Sequence, residues 1–184
     1  MNRTLVIVLL CFASSAFGQT ESGTGIVYGT DHAFSITAPE GWVLDNSAGK
    51  GSGLQAVFYR VGDSWADGIA VMYVNTSARD PEVHDTLEGL IAYDVGRFQQ
   101  TSPNLSVEEL AAVELDGGKE AVARKFSGDQ HGNIEAVAYV EEETVFVMII
   151  LTSRDEQEFE EAYPSFRALV SSYKFITSDV RLPE

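Results

Sequence analysis

The segment VFVMIIL, residues 145–151, is apolar at every position. A second run of this kind, IAVMYV, occupies residues 69–74. Both are rich in β-branched and aromatic residues, which favour extended structure. A strand that lacks the usual alternation of polar and apolar side chains must be covered on both faces. These two segments therefore predict interior strands of a sheet with other layers packed against it.

Six further segments lie between turn signals and are typical of strands. They are residues 26–30, 34–38, 54–60, 108–115, 121–127 and 134–141. The later ones are joined by short polar turns at residues 116–118, 128–133 and 142–143. A parallel crossover needs a dozen or more residues, so connections this short predict antiparallel hairpins.

Two amphipathic helices accompany the strands. Asp80-Pro81 is a helix-start signature, and apolar residues then recur at helical spacing to about residue 100. Ser153 followed by Glu156 resembles a capping box, and Pro164 inside the second helix predicts a kink or a division into two short helices. The fold class predicted is α+β, a central and mainly antiparallel β-sheet flanked by helices on both faces.

The first residues are typical of a signal peptide. Arg3 precedes the apolar run LVIVLLCFA, residues 5–13, which is shorter than the roughly 20 residues of a membrane span. We predict cleavage after Gly18, a single domain over residues 19–184, and a periplasmic or secreted protein without a transmembrane segment. Cys11 is the sole cysteine and would leave with the signal peptide, so no disulfide or thiol chemistry is expected.

The chain is strongly acidic. It carries 28 Asp and Glu residues against 12 Lys and Arg residues, a formal net charge of −16. Such a surface repels phosphate backbones and anionic lipids, which argues against nucleic-acid or peripheral membrane binding. It is compatible with high solubility, and it would favour cations or a basic partner surface.

The opening of the predicted domain carries a family resemblance. Phe34-Ser35-Ile36 leads into Pro39-Glu40-Gly41-Trp42, a hairpin passes through residues 115–117, and the chain closes with FRALVSSYKF at residues 166–175. This pattern resembles the PsbP-like family, which includes DcrB-like exported proteins. The resemblance implies an α/β/α sandwich and a non-enzymatic binding or accessory role, with no catalytic residues to carry over. Trp42 is expected to pack in the core.

The loop Asp63-Ser64-Trp65-Ala66-Asp67 is a candidate binding site. Trp65 lies in a polar turn outside any apolar stripe, and exposed aromatic residues are enriched at binding surfaces. The hypothesis is that Trp65, Asp63 and Asp67 contact a protein partner or a small ligand. The alternative is that Trp65 folds down over the end of the sheet.

Candidate metal ligands come as carboxylate–imidazole pairs. Asp31 precedes His32, His84 precedes Asp85, and Asp129 lies two residues before His131. Two such pairs that converge in space would bind a transition metal, although no paired ligand spacing requires it. Solvated turn histidines are the alternative.

No local catalytic motif is present in the sequence. It lacks a G-x-S-x-G elbow, and GKGSG at residues 49–53 does not have the order of a phosphate loop. The function predicted is a non-enzymatic exported accessory or binding protein that engages a protein partner or a small ligand, without a cofactor. The alternative is an acidic metal-binding or metal-buffering protein. A hydrolase whose catalytic residues are scattered along the chain stays open.

Overall fold

The computed structural model describes residues 23–181, so the predicted signal peptide and Cys11 lie outside the described part of the chain. Within it, ten strands and two α-helices form. The strands are β1 (Thr24–Tyr28), β2 (Ala33–Thr37), β3 (Trp42–Asp45), β4 (Ala56–Arg60), β5 (Ala70–Ala78), β6 (Ser106–Glu114), β7 (Glu120–Ser127), β8 (Ile134–Glu141), β9 (Val145–Ser153) and β10 (Lys174–Thr177). The helices are α1 (Leu87–Thr101) and α2 (Glu156–Ser171). Neither helix combines the length and apolar character of a membrane span.

Seven strands form the larger sheet, in the order β3-β4-β5-β9-β8-β7-β6. Every neighbouring pair is antiparallel, and the hairpins predicted from the short turns of the later strands are confirmed. Strand β9 is the fourth of the seven, and it pairs with β5 from Val145 opposite Ala78 to Ser153 opposite Ala70. The two apolar segments of the sequence are therefore adjacent in the middle of this sheet.

The side chains of β9 alternate between two hydrophobic clusters. Val147, Ile149 and Leu151 belong to a large cluster on one face, while Phe146 and Met148 belong to a smaller one on the other. The large cluster also contains residues from β2, β4 and α2. The smaller cluster contains residues from β7, β8 and α1. Both faces of β9 are thus buried, as its sequence requires.

The predicted helix-flanked α/β/α sandwich around a single central sheet is wrong. The described chain forms two antiparallel sheets, the second consisting of three strands in the order β1-β2-β10. Val27, Phe34 and Ile36 of this second sheet are buried in the same cluster as Phe159 and Phe166 of α2. One face of the larger sheet is therefore covered by a mixed layer of strands and one helix, because extended segments supply much of its apolar surface.

Strands β3 and β10 were not predicted from the sequence. Gly41 turns the chain with a φ of 79°, and β3 begins immediately after it with Trp42. Trp42 is 3% exposed, which confirms the expectation that it packs in the core. The guanidinium of Arg60, its partner across the strand pair, lies 5.9 Å from the indole centroid.

Both helices begin later than predicted. Asp80 forms an isolated bridge with His84, and the cap of α1 is Thr86, whose side chain accepts a hydrogen bond from the Gly89 amide at 3.1 Å. The cap of α2 is Asp155, not Ser153. The predicted division of α2 at Pro164 is wrong, because the helix continues through the proline to Ser171. The carbonyl that loses its partner there belongs to Glu160, an exposed residue.

We predict that Phe166→Ala lowers the free energy of unfolding by about 3–5 kcal/mol, because it empties a fully buried aromatic site in the large cluster. Urea denaturation measures this loss. Ile69→Ala is the control, since Ile69 is 59% exposed and its truncation should change stability by only about 0.5 kcal/mol. A similar effect of both substitutions would contradict the assignment of Phe166 to the core.

Candidate ligand pocket beneath helix α1

Polar side chains line the space between α1 and the larger sheet. Tyr73, Asn75 and Ser77 share one face of β5, and Glu135 and Tyr139 share one face of β8, because side chains alternate along a strand. The strands β5 and β8 flank β9 on either side. Helix α1 lies above them and contributes Asp94 and Arg97. These residues enclose a pocket of about 190 Å³.

Asp94 is a carboxyl group buried among apolar residues of α1. It is only 8% exposed, and it lines the same pocket as Leu90. The Tyr139 hydroxyl donates to Oδ2 at a long 3.4 Å, and the Arg97 guanidinium lies 3.8 Å from Oδ1. Burial raises the pKa of Asp94, because desolvation disfavours the ionised form more than Arg97 and Tyr139 favour it.

Glu135 supplies a second carboxyl group from β8. Burial raises the pKa of Glu135, and a hydrogen bond with Thr152 opposes that shift. The negative charges of Asp129 and Asp94 raise it further, whereas Arg97 lowers it. Two desolvated acids therefore line one pocket, and the charge of Asp94 disfavours the ionisation of Glu135.

Two tyrosines complete the floor of the pocket. Burial raises the pKa of both Tyr73 and Tyr139, so their hydroxyls stay protonated and remain hydrogen-bond donors. The Trp65 indole packs edge-on against Tyr73, with centroids 6.0 Å apart and an interplanar angle of 80°. The loop that displays Trp65 is thus in direct contact with the pocket wall.

His84 lies at one side of the pocket. Its Nε2 is 2.9 Å from the Ser77 hydroxyl, and its ring packs 5.5 Å from the ring of Tyr93. Its Nδ1 is buried and has no hydrogen-bond partner in the described part of the chain. In a serine hydrolase that nitrogen would bond to a carboxylate, so Ser77 and His84 lack the acid of a catalytic triad.

The structure places the predicted binding residues around the Trp65 loop. Trp65 is half-buried, while Asp63 and Asp67 are exposed, and the Ser64 hydroxyl donates to Asp67 Oδ2 at 2.8 Å. Asp67 also lines a separate cleft of about 400 Å³ together with Asn133. This loop therefore meets the turn that contains Asp129 and His131 at one end of the sheet.

The predicted metal ligands do not converge as a set. Asp31 Oδ1 lies 2.9 Å from His32 Nδ1, and His32 is only 5% exposed, with its ring stacked on Phe34. Asp129 folds onto its own turn and accepts from the His131 amide at 3.0 Å. Within residues 23–181, no group of three or more His, Cys, Asp or Glu side chains is arranged to hold a metal ion.

Of the pocket residues, only His84 was considered from the sequence, as one of the candidate metal ligands, although Asp94 and Glu135 also carried a recognisable signal. Asp94 lies three or four positions from Leu90, Ile91 and Phe98, and so falls on the apolar stripe of α1. A carboxylate on such a stripe predicts a buried acid, and buried acids with shifted pKa values cluster at functional sites. Glu135, which directly precedes the apolar run at residues 136–140 of β8, gives the same signal.

We predict that Asp94→Asn raises the melting temperature at pH 7.5. A carboxyl whose pKa is raised on folding binds more protons in the folded state than in the unfolded state. Asp94 therefore lowers the free energy of unfolding increasingly as pH rises above its ordinary pKa of 3.8. The stability gain of the variant should therefore shrink as pH falls towards that value. Thermal denaturation across this pH range measures the effect.

The exposed Asp63→Asn is the matched control for Asp94→Asn. An Asp94→Asn protein that is less stable than wild type at pH 7.5 and recovers at low pH would contradict the account. That result would mean that the ionised carboxylate stabilises the fold.

Comparison with known proteins supports the fold alone. No protein-family model matches the chain, and no curated protein matches it. The solution structure of cyanobacterial PsbP from Synechocystis sp. PCC 6803 is similar, with a TM-score of 0.52 and 16% identity, covering 89% of this chain and 99% of that one. A point mutant of the protein Mog1 aligns with a TM-score of 0.45 and 14% identity, covering 85% of this chain and 97% of that one. The chain therefore has a PsbP-like fold.

Proposed function

We propose that this protein is an exported, non-catalytic binding protein that holds a small ligand between α1 and the β5-β9-β8 face of the larger sheet. The observation that carries the proposal is the pocket of about 190 Å³ into which Asp94, Glu135 and His84 all face. Export rests on the sequence of residues 1–18, which has the features of a signal peptide.

The energetics of the pocket support a binding role. A buried polar group without a full set of partners costs roughly 1–3 kcal/mol. Asp94 has only a long hydrogen bond and a loose ion pair, and His84 Nδ1 has no partner among the described residues. A fold that keeps such groups in a cavity gives up stability that apolar residues would supply, and proteins retain this arrangement chiefly at functional sites.

The geometry of the pocket favours binding of a small ligand over binding of a protein partner, metal buffering or catalysis. The pocket is concave and its polar groups converge, whereas a protein partner would need a broad, flat contact area. Metal buffering has less support, because the described residues gather no set of three potential ligands. Catalysis by Ser77 and His84 would require an orienting acid at Nδ1.

We predict that Asn75→Trp abolishes binding of small ligands. Asn75 lines the pocket on the same strand face as Tyr73 and Ser77 but is itself exposed, so an indole there would fill the cavity without entering the core. Ligand-observed NMR with a library of neutral, anionic and cationic small molecules would identify the compounds that bind wild type. Those that use the pocket should lose their signal with the variant.

Gln99→Trp provides the control, because Gln99 is an exposed residue of α1 that does not line the pocket. It should retain every ligand that wild type binds. If all ligands of the wild-type protein bind Asn75→Trp equally well, the pocket is not the binding site.

We also predict that occupation of the pocket changes tryptophan fluorescence. Trp65 contacts Tyr73 of the pocket wall, whereas Trp42 is buried in the large cluster on the opposite face. Trp65→Phe should therefore remove the fluorescence response to a ligand while NMR still detects binding. A response that persists in Trp65→Phe would show that the Trp65 loop is not coupled to the pocket.

A further inference from the structure

We propose that the ligand is a small primary amine in its ammonium form, bound with its charge between Asp94 and Glu135. This inference rests on the proposed function, since it names the chemical class of ligand for the same pocket. Three independent properties of the pocket lead to it: its charge balance, its hydrogen-bonding inventory and its aromatic walls.

The charges that face the pocket favour a cation. Asp94 comes from α1 and Glu135 from β8, with Asp129 contributing a further negative charge near Glu135. The basic groups are Arg97 and, when protonated, His84. The Arg97 side chain is 61% exposed and only loosely paired with Asp94 at 3.8 Å, so solvent screens much of its charge. A ligand cation inside the pocket would be desolvated together with the carboxylates and would interact with them more strongly.

The hydrogen-bonding groups favour a ligand that is rich in donors. A primary ammonium has three N–H donors and no acceptor. Ionised Asp94 and Glu135 offer acceptors only, and the pocket is also lined by the Ser77 hydroxyl, which is hydrogen-bonded to His84 Nε2. An anionic ligand would instead place its oxygens against two carboxylates, and a neutral alcohol would leave at least one of them without a charged partner.

The walls of the pocket suit the alkyl part and the charge of such a ligand. The rings of Tyr73, Tyr139 and Tyr93 line the cavity, and aromatic faces attract cations within about 6 Å. Tyr93 is half-exposed and stands at the mouth beside His84. The volume of about 190 Å³ is below the roughly 300–1,000 Å³ of pockets for drug-sized ligands, which limits the amine to a few carbon atoms.

Four probes of similar size test the inference: two cations that differ in their N–H donors, one neutral alcohol and one anion. They are n-butylammonium, n-butanol, n-butyrate and tetramethylammonium, each titrated into the purified protein while amide chemical shifts are recorded by NMR. We expect n-butylammonium to shift resonances of α1 and β8 around Asp94 and Glu135. We expect n-butanol and n-butyrate to bind at least about tenfold more weakly, which corresponds to about 1.4 kcal/mol.

Substitutions assign the binding to the carboxylates. Asp94→Asn and Glu135→Gln should each weaken n-butylammonium binding by about tenfold or more, the usual effect of removing a hydrogen bond to a charged group. Arg97→Gln should strengthen it, because the variant removes a competing cation from Asp94 and changes a side chain that is 61% exposed. Glu88→Gln removes an exposed carboxylate from the same helix and should have no effect.

Other outcomes overturn the inference. If n-butanol or n-butyrate binds as well as n-butylammonium and Asn75→Trp abolishes that binding, the pocket binds ligands but not by their positive charge. If tetramethylammonium binds equally well and Asp94→Asn has no effect, the aromatic rings and not the carboxylates hold the cation. If no probe shifts the pocket resonances, the amine class is wrong. The proposed function fails as well only if no compound of the NMR library loses its binding in Asn75→Trp.

Discussion

Burial of strand β9 on both faces is the constraint on which the structure depends. Its side chains enter two hydrophobic clusters, so separate layers must cover the two sides of the larger sheet. On one side α2 and the three-stranded sheet provide that cover. On the other side α1 packs over β7, β8 and β9. Strong apolar patterning in one strand thus specifies a three-layer arrangement, but it leaves open what each layer is made of.

The two layers differ in how their buried acids are paired. Beside the cluster beneath α2, the buried Glu142 carboxylate accepts a hydrogen bond from the Tyr173 hydroxyl at 3.2 Å and pairs with Lys119 at 2.7 Å. Beneath α1, by contrast, Asp94 and Glu135 accompany the apolar residues and line a cavity. Desolvation opposes the ionisation of both acids. The charge of Asp94 also raises the pKa of Glu135, and both acids raise the pKa of Tyr139. A positive charge in the cavity would relieve both effects, which links the packing of this face to the proposed binding of an amine.

The sequence predicted the interior strands and the antiparallel hairpins because their signals are local. The apolar runs at residues 69–74 and 145–151 predict strands from their own composition. The short turns predict hairpins between strands that are consecutive in the sequence. The second sheet was missed because β10 pairs with β2 from the far end of the chain, a contact that no local pattern encodes. The candidate site was missed for a similar reason. Asp94 and Glu135 are some forty residues apart, and only the packing of α1 on β8 brings them to one pocket.

The most direct test of the account is a carbon-13 NMR titration of the Asp94 side-chain carboxyl, with and without saturating n-butylammonium. In the free protein, we expect the pKa of Asp94 to lie above the ordinary value of 3.8, because the carboxyl is desolvated. With the amine bound, the pKa should fall, because an adjacent positive charge favours the ionised form. An Asp94 pKa at or below 3.8 in the free protein, unchanged by the amine, would contradict both the desolvation of the pocket and its proposed ligand.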